Sequence, residues 1–154
     1  MLSIGKKAPA FSLQDKNNKT VRLKDVDTTF TVLYFYPKDN TPGCTLEAIE
    51  FTALEKEFKK ANASIIGISG GTNKSKTVFC QKHNLTIPLL SDTDFSVATK
   101  YDVYGEKKFM GRTYNGIFRT TFVLDKQKTI LRIFENVKVK DHAKEVLTYL
   151  QSIK

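Results

Sequence analysis

The chain has 154 residues, 40% hydrophobic and 27% charged, the make-up of an ordinary globular protein with a sizeable core. Its net charge of +9 comes from 25 Lys and Arg against 16 Asp and Glu, but the lysines are scattered rather than gathered into an arm, so no nucleic-acid partner is expected. No apolar run could span a bilayer, no signal segment opens the chain, and two cysteines are too few for a secreted disulfide scaffold; the expectation is a cytoplasmic protein with no membrane partner and a catalytic or redox use for its thiols.

Phe11–Gln14 and Thr20–Leu23 alternate apolar and polar residues around the turn-rich Asp15–Lys19, which predicts an N-terminal β-hairpin. Phe30–Tyr36 is almost continuously apolar and aromatic, as suits a strand buried on both faces. Pro37 ends it. After a short polar loop, Thr41-Pro42 reads as a helix start, with threonine as N-cap and proline as the first helical residue. That helix is expected to reach Lys60, with Leu46, Ile49, Ala53, Leu54 and Phe58 recurring at helical spacing and Glu47, Glu50, Glu55 and Glu57 opposite. Ser64–Ser69 reads as a second buried strand closed by Gly70-Gly71, and Asn73–His83 as a shorter helix stopped near Asn84. Thr86–Leu90 suggests a short strand, Phe95–Tyr101 one or two helical turns, and Tyr104–Tyr114 mostly loop. Thr120–Leu124 and Thr129–Phe134 form a second predicted hairpin, and Asp141 is expected to cap a final helix with Ala143, Val146, Leu147 and Leu150 on one face. Strand–helix–strand units followed by an antiparallel hairpin and a closing helix give an α/β sandwich, expected as one domain over 1–154.

Cys44 falls in the first turn of the predicted helix. Amide N–H groups there lack intrahelical partners and the helix dipole is positive, so such a site favours a thiolate, the nucleophilic form of cysteine. A buried structural cysteine behind a loop is the plainer alternative. Neither cysteine belongs to a Cys-x-x-Cys pair, and His83 and His142 share no metal-like spacing with the cysteines, so no metal site is expected. No glycine-rich phosphate loop is present, and Gly70-Gly71-Thr72 is too short to count as one, so no cofactor is expected either.

The run Pro37-x-x-x-Thr41-x-x-Cys44 resembles the active-site signature of the peroxiredoxins, and its longer form YPKDNTPGCT resembles the bacterioferritin-comigratory, or PrxQ, branch. Gly5–Phe11, Pro88–Asp92 and Arg119–Asp125 resemble further segments of that family in the same order, so the likeness spans nearly the whole chain. It implies a thioredoxin-like fold, a central mixed β-sheet flanked by helices, and a thiol peroxidase acting on hydrogen peroxide and organic hydroperoxides. Cys44 would then be the peroxidatic cysteine, Thr41 the residue orienting substrate and thiolate, Pro37 and Pro42 the shapers of the loop, and Arg119 the stabiliser of thiolate and departing oxygen. Plainer readings make Thr41 a simple N-cap and Arg119 a surface residue before a strand. Glu47, one turn beyond Cys44, could join the network around Arg119 or stand as a solvated helix glutamate.

Many members of this branch carry the resolving cysteine five positions after the first; here that position is Ile49. A subgroup places it on the following helix, as the segment Val78–Lys82 with Cys80 resembles. The resemblance therefore implies a Cys44–Cys80 disulfide recycled by thioredoxin or a similar dithiol, in a monomer or weak homodimer. The alternatives are a one-cysteine peroxidase with Cys80 as a core residue, or a redox sensor or chaperone-like protein.

Overall fold

The computed structural model of the protein describes residues 2–153. The apolar run forms β3 (Phe30–Phe35), every residue of which is buried. It lies inside a seven-stranded sheet ordered β2-β1-β5-β4-β3-β8-β9, in which β1 is Ser12–Asp15, β2 Thr20–Arg22, β4 Ala63–Ser69, β5 Leu89–Ser91, β8 Thr120–Leu124 and β9 Ile130–Phe134. β3 runs parallel to β4, and β4 to β5; β1 and β8 join antiparallel on either side. This is the thioredoxin-like α/β architecture implied by the resemblance, a mixed sheet with the expected N-terminal hairpin β1–β2 at one edge. Alternate residues of β3 feed two cores. Val32, Tyr34 and Tyr36 pack with Phe51, Phe58 and Phe79 on one face, while Leu33 and Phe35 pack with Ile66, Ile68 and Tyr101 on the other.

Four helices fall close to expectation. α1 (Pro42–Ala53) starts behind Thr41, and α3 (Asn73–His83) ends on a left-handed Asn84. α4 (Ser96–Lys100) is the short turn after β5, and α5 (His142–Ile153) buries Ala143, Val146, Leu147 and Leu150. Thr72 caps α3 by accepting the Ser75 amide at 3.0 Å.

The structure corrects several expectations. The helix after Cys44 breaks at Leu54, leaving α2 (Glu55–Lys60) as a separate piece. Of the apolar set read from spacing, Phe58 is buried and Leu54 packs against the core, but the first turns present a different face. Cys44, Glu47, Ala48 and Phe51 point inward, whereas Leu46 and Ile49 are exposed. Apolar residues lie all round α1, so periodicity alone could not choose the face; the partner waiting for Glu47 does. The short strand is Leu89–Ser91 rather than Thr86–Leu90, in register with Gly67–Ser69. Asp141 has φ 64, not the extended backbone of an N-cap, and its own amide is held by Glu50 at 2.9 Å. Residues 104–114 are not loop. Tyr104–Phe109 (β6) and Arg112–Ile117 (β7) form a separate antiparallel hairpin. Met110 and Gly111 turn it with φ values of 51 and 78, the all-positive geometry of a two-residue hairpin turn. Methionine is an unusual first residue for that turn, and both strands are largely exposed, so no apolar alternation betrayed them.

Candidate active site

The sheet's register explains how residues distant in sequence meet. Phe35, the last residue of β3, pairs with Thr120, the first of β8. Arg119, one step before Thr120, is therefore delivered to the end of the sheet where β3 gives way to Pro37 and the loop leading into α1. Its Nη2 lies 3.4 Å from Cys44 Sγ, and its Nη1 donates to Glu47 Oε1 at 2.6 Å. Cys44 and Glu47 are one helical turn apart and face the same way, so one guanidinium spans both. Gly43 makes room for it: a Cβ there would stand 3.2 Å from Arg119 Nη2.

Glu47 is 1% exposed, and its second oxygen has no hydrogen-bond partner among the described residues. Burial raises its pKa from 4.5 to about 7, against the opposing pull of Arg119. It is thus part of the arginine's network and not a solvated helix glutamate. Cys44 itself is buried at N3 of α1, and the first helical hydrogen bond runs from the Thr45 amide to the Thr41 carbonyl at 2.8 Å. The Gly43 and Cys44 amides precede that bond, while Pro42 brings no N–H at all.

Thr41 has the extended backbone of an N-cap, but its side chain makes no cap bond. The hydroxyl donates instead to the Lys38 carbonyl at 2.9 Å. With its hydrogen committed there, it faces other groups only as an acceptor, which narrows the donor-and-acceptor role expected of it. Pro37 is half-buried where β3 ends.

The AhpC/TSA family model matches residues 4–133. A putative peroxiredoxin bcp of Helicobacter pylori is 44% identical over 149 residues, covering 97% of this chain and 98% of that protein. The solved structure of a cysteine-to-serine PrxQ variant from Xylella fastidiosa superposes with a TM-score of 0.93 at 36% identity, covering 99% of this chain and 98% of the other. The bacterioferritin comigratory protein of Xanthomonas campestris, described for its alkyl peroxide reduction, superposes at 0.87 with 37% identity, over 93% of this chain and 91% of that one. The chain belongs to the AhpC/TSA family, among the peroxiredoxins of the Bcp/PrxQ branch.

Its activity is therefore that of a thiol-dependent peroxidase of the atypical two-cysteine type, with a hydroperoxide as substrate and a thiol as reductant. The chain has two cysteines, and both are free thiols in this reduced structure. Cys80 lies in α3, in the same apolar cluster as Cys44. It borders a cleft beneath the β1–β2 turn, lined also by Asp15, Lys16 and Thr86. Burial pushes its thiol pKa up, with Lys16 opposing.

The two histidines are occupied elsewhere. His142 is buried against Thr121 and Glu145, and His83 shares a hydrogen bond with Asn40 at 3.0 Å. Gly70-Gly71 also gains an explanation: a Cβ on Gly70 would overlap the Phe95 ring, and one on Gly71 would stand 2.1 Å from Asp39 Oδ2. These glycines serve close packing. Lys76, one of the scattered lysines expected on a solvated surface, is instead fully buried with Asp39; a lysine in a polar helix looks like a solvated one until its partner is seen.

Proposed function

We propose that Cys44 is the peroxidatic cysteine and Cys80 the resolving one, and that thioredoxin or a similar dithiol protein closes the cycle. The observation that carries the reading is the guanidinium of Arg119, 3.4 Å from Cys44 Sγ and held from behind by Glu47. The guanidinium's donors are aimed where negative charge develops as the O–O bond breaks.

The thiolate attacks one oxygen of ROOH. The sulfur–oxygen bond forms as the O–O bond breaks, RO⁻ leaves and takes a proton to become ROH, and Cys44 sulfenic acid remains. The Gly43 and Cys44 amides and the Thr41 acceptor line the approach. The Cys80 sulfur then displaces water from the sulfenic acid, giving a Cys44–Cys80 disulfide that a dithiol reduces. Hydrogen peroxide and organic hydroperoxides both fit, and the alkyl peroxide activity described for the Xanthomonas protein supports the latter. Action in the cytoplasm, as a monomer or weak homodimer without nucleic-acid or membrane partners, completes the proposal.

One equivalent of peroxide followed by intact-mass measurement and peptide mapping tests the pairing. The expected product has lost two hydrogens and contains a linked Cys44–Cys80 peptide. A wild-type chain that stops at sulfenic acid would instead favour resolution by an external thiol.

A further inference from the structure

Lys76 is fully buried, as is most of Asp39, and neither belongs to the chemistry above. Lys76 Nζ donates to Ser69 Oγ at 2.8 Å, to Asp39 Oδ2 at 3.2 Å and to the Gly71 carbonyl at 3.3 Å. It also stands 5.8 Å from the centre of the Tyr36 ring. Asp39 Oδ1 accepts the Tyr36 hydroxyl at 2.6 Å and Ser69 Oγ at 3.3 Å, and Oδ2 accepts Ser75 Oγ at 2.7 Å. One carboxylate and one ammonium thus join four segments: the loop entering Cys44, the ends of β3 and β4, and the first turns of α3.

Two features give this cluster a direction. Lys76 lies four residues before Cys80 on the same helix, so it shares that residue's face one turn away. Asp39 lies five residues before Cys44, in the loop that delivers the other cysteine. A disulfide needs Cα atoms within about 7 Å and side chains turned toward each other. Here the Cys44 sulfur is engaged by Arg119, and Cys80 borders the cleft under the β1–β2 turn. Both thiols are free in this structure, and α3 and the start of α1 are the elements whose movement would bring them together. A well-packed apolar pair would hold the same elements without the cost of burying two charges. A hydrogen-bonded ion pair instead fixes one arrangement and leaves a penalty on any partial separation.

We propose that Asp39 and Lys76 form a latch that holds α3 to the loop before Cys44 and so sets the rate at which Cys80 reaches the oxidised Cys44. Both are positioning residues: they touch neither sulfur nor substrate, and they act through the mobility of α3. The latch keeps α3 against the loop before Cys44 between turnovers. It also lengthens the life of the sulfenic acid, and with it the chance that a second peroxide drives Cys44 to sulfinic acid. This rests on Cys80 being the resolving cysteine.

The test compares wild type with Lys76→Met and with the milder Ser75→Ala, which removes a single hydrogen bond to Asp39. Rapid-quench oxidation with one equivalent of peroxide follows dimedone-trapped sulfenic acid and the linked peptide separately by mass. Lys76→Met is expected to close the disulfide about tenfold faster, ~1.4 kcal/mol off that barrier, and to need correspondingly more peroxide for over-oxidation. Ser75→Ala should move both in the same direction by about threefold. Formation of sulfenic acid should stay within about twofold of wild type in each, because the latch lies outside the reacting groups. Amide exchange in the reduced proteins supplies the readout a merely structural role would not give: α3 should lose protection while β3 and β4 keep theirs. If the linked peptide forms in wild type but closes no faster in the variants, the latch is overturned and the pairing stands. Unchanged exchange in α3, or equal loss across the whole sheet, overturns it too. Should Lys76→Met fail to fold, an unchanged closing rate in Ser75→Ala decides against it. Absence of the linked peptide in wild type overturns the pairing and the latch together.

Discussion

Cys44 and Cys80 are buried to nearly the same degree, 1% and 4% exposed, in one apolar cluster on one side of the sheet. Their surroundings nevertheless differ in kind. Cys44 opens a helix whose first amides are unclaimed, and a buried-side carboxylate steers a guanidinium onto its sulfur. Cys80 lies in the last turns of α3, where the helix dipole is negative and burial pushes its thiol pKa up. Burial alone therefore does not set the two cysteines apart; the fixed charge and the helix end do. On the proposed reading the same contrast divides the labour: Cys44, as the attacking thiol, is placed against a cation, while Cys80, as the resolving one, has a thiol pKa that burial pushes up.

Replacing each cysteine in turn breaks the comparison most sharply. Cys44→Ser should lower peroxide consumption by about a thousandfold or more, as loss of a nucleophile does. Cys80→Ser should leave the first oxidation within about twofold of wild type while ending dithiol-driven turnover. Stopped-flow peroxide consumption and a coupled thioredoxin assay read the two separately. Equal effects of the two substitutions would erase the distinction drawn here.

Arg119 carries the difference between the sites, so its removal should make Cys44 behave more like Cys80. Arg119→Ala is expected to slow oxidation of Cys44 by about a hundredfold to a thousandfold, the usual range for losing a donor aimed at developing charge. Arg119→Lys should recover only part of this, since an ammonium cannot span Cys44 and Glu47 together. A wild-type rate in Arg119→Ala would remove the guanidinium from the chemistry.

Glu47 sharpens the comparison through pH. Its folded pKa is raised from 4.5 to about 7, with burial the leading cause. Between those values the folded chain holds a proton that the unfolded chain has released, so this group's contribution to stability falls as pH rises through the window. The full shift corresponds to about 3 kcal/mol, an upper figure for a carboxylate so closely tied to an arginine. Glu47→Gln cannot titrate. Its stability relative to wild type should therefore climb by about 1–3 kcal/mol between pH 4.5 and 7 and then level off. Urea unfolding of both proteins across that range checks the sign; a flat difference would mean that Glu47 stays ionised throughout.

What the sequence could reveal follows from the range of each interaction. Thr41-Pro42 announces a helix start locally, and so the place of Cys44 in a first turn was readable. Phe30–Tyr36 advertised a central strand because burial on both faces leaves no polar position. Arg119 was legible only through family resemblance: an arginine before a strand is common, and its approach to Cys44 depends on β8 pairing with β3 in one register. Spacing left Glu47 undecided and gave Lys76 no role, for a shared reason. Charged residues at helical spacing are read as solvated, and only the folded chain shows the opposite charges that make their burial tolerable. The β6–β7 hairpin was missed because its strands are largely exposed, so its sequence carries no core-facing period.

The smallest expected effect concerns Thr41, where a structural role and a substrate role can be separated. A true N-cap threonine contributes about 1 kcal/mol to stability through its side-chain bond to the helix amides. Here that bond is absent, and the hydroxyl donates to the carbonyl of the exposed Lys38, where water can replace it. Thr41→Val should therefore change unfolding free energy by no more than about 0.5 kcal/mol. On the proposed function, the same substitution removes the acceptor, three residues before Cys44, that takes a hydrogen bond from the peroxide O–H. One such bond is worth about 1 kcal/mol, so the rate constant for peroxide should drop about fivefold to tenfold. Thr41→Ser keeps the oxygen and should restore most of the rate. Competition for peroxide against a reference peroxidase, run beside urea melts of the same samples, gives both numbers. A variant that loses stability in step with rate would make Thr41 a helix cap after all. Full activity in Thr41→Val would leave substrate orientation to Arg119 and the two amides of the first turn.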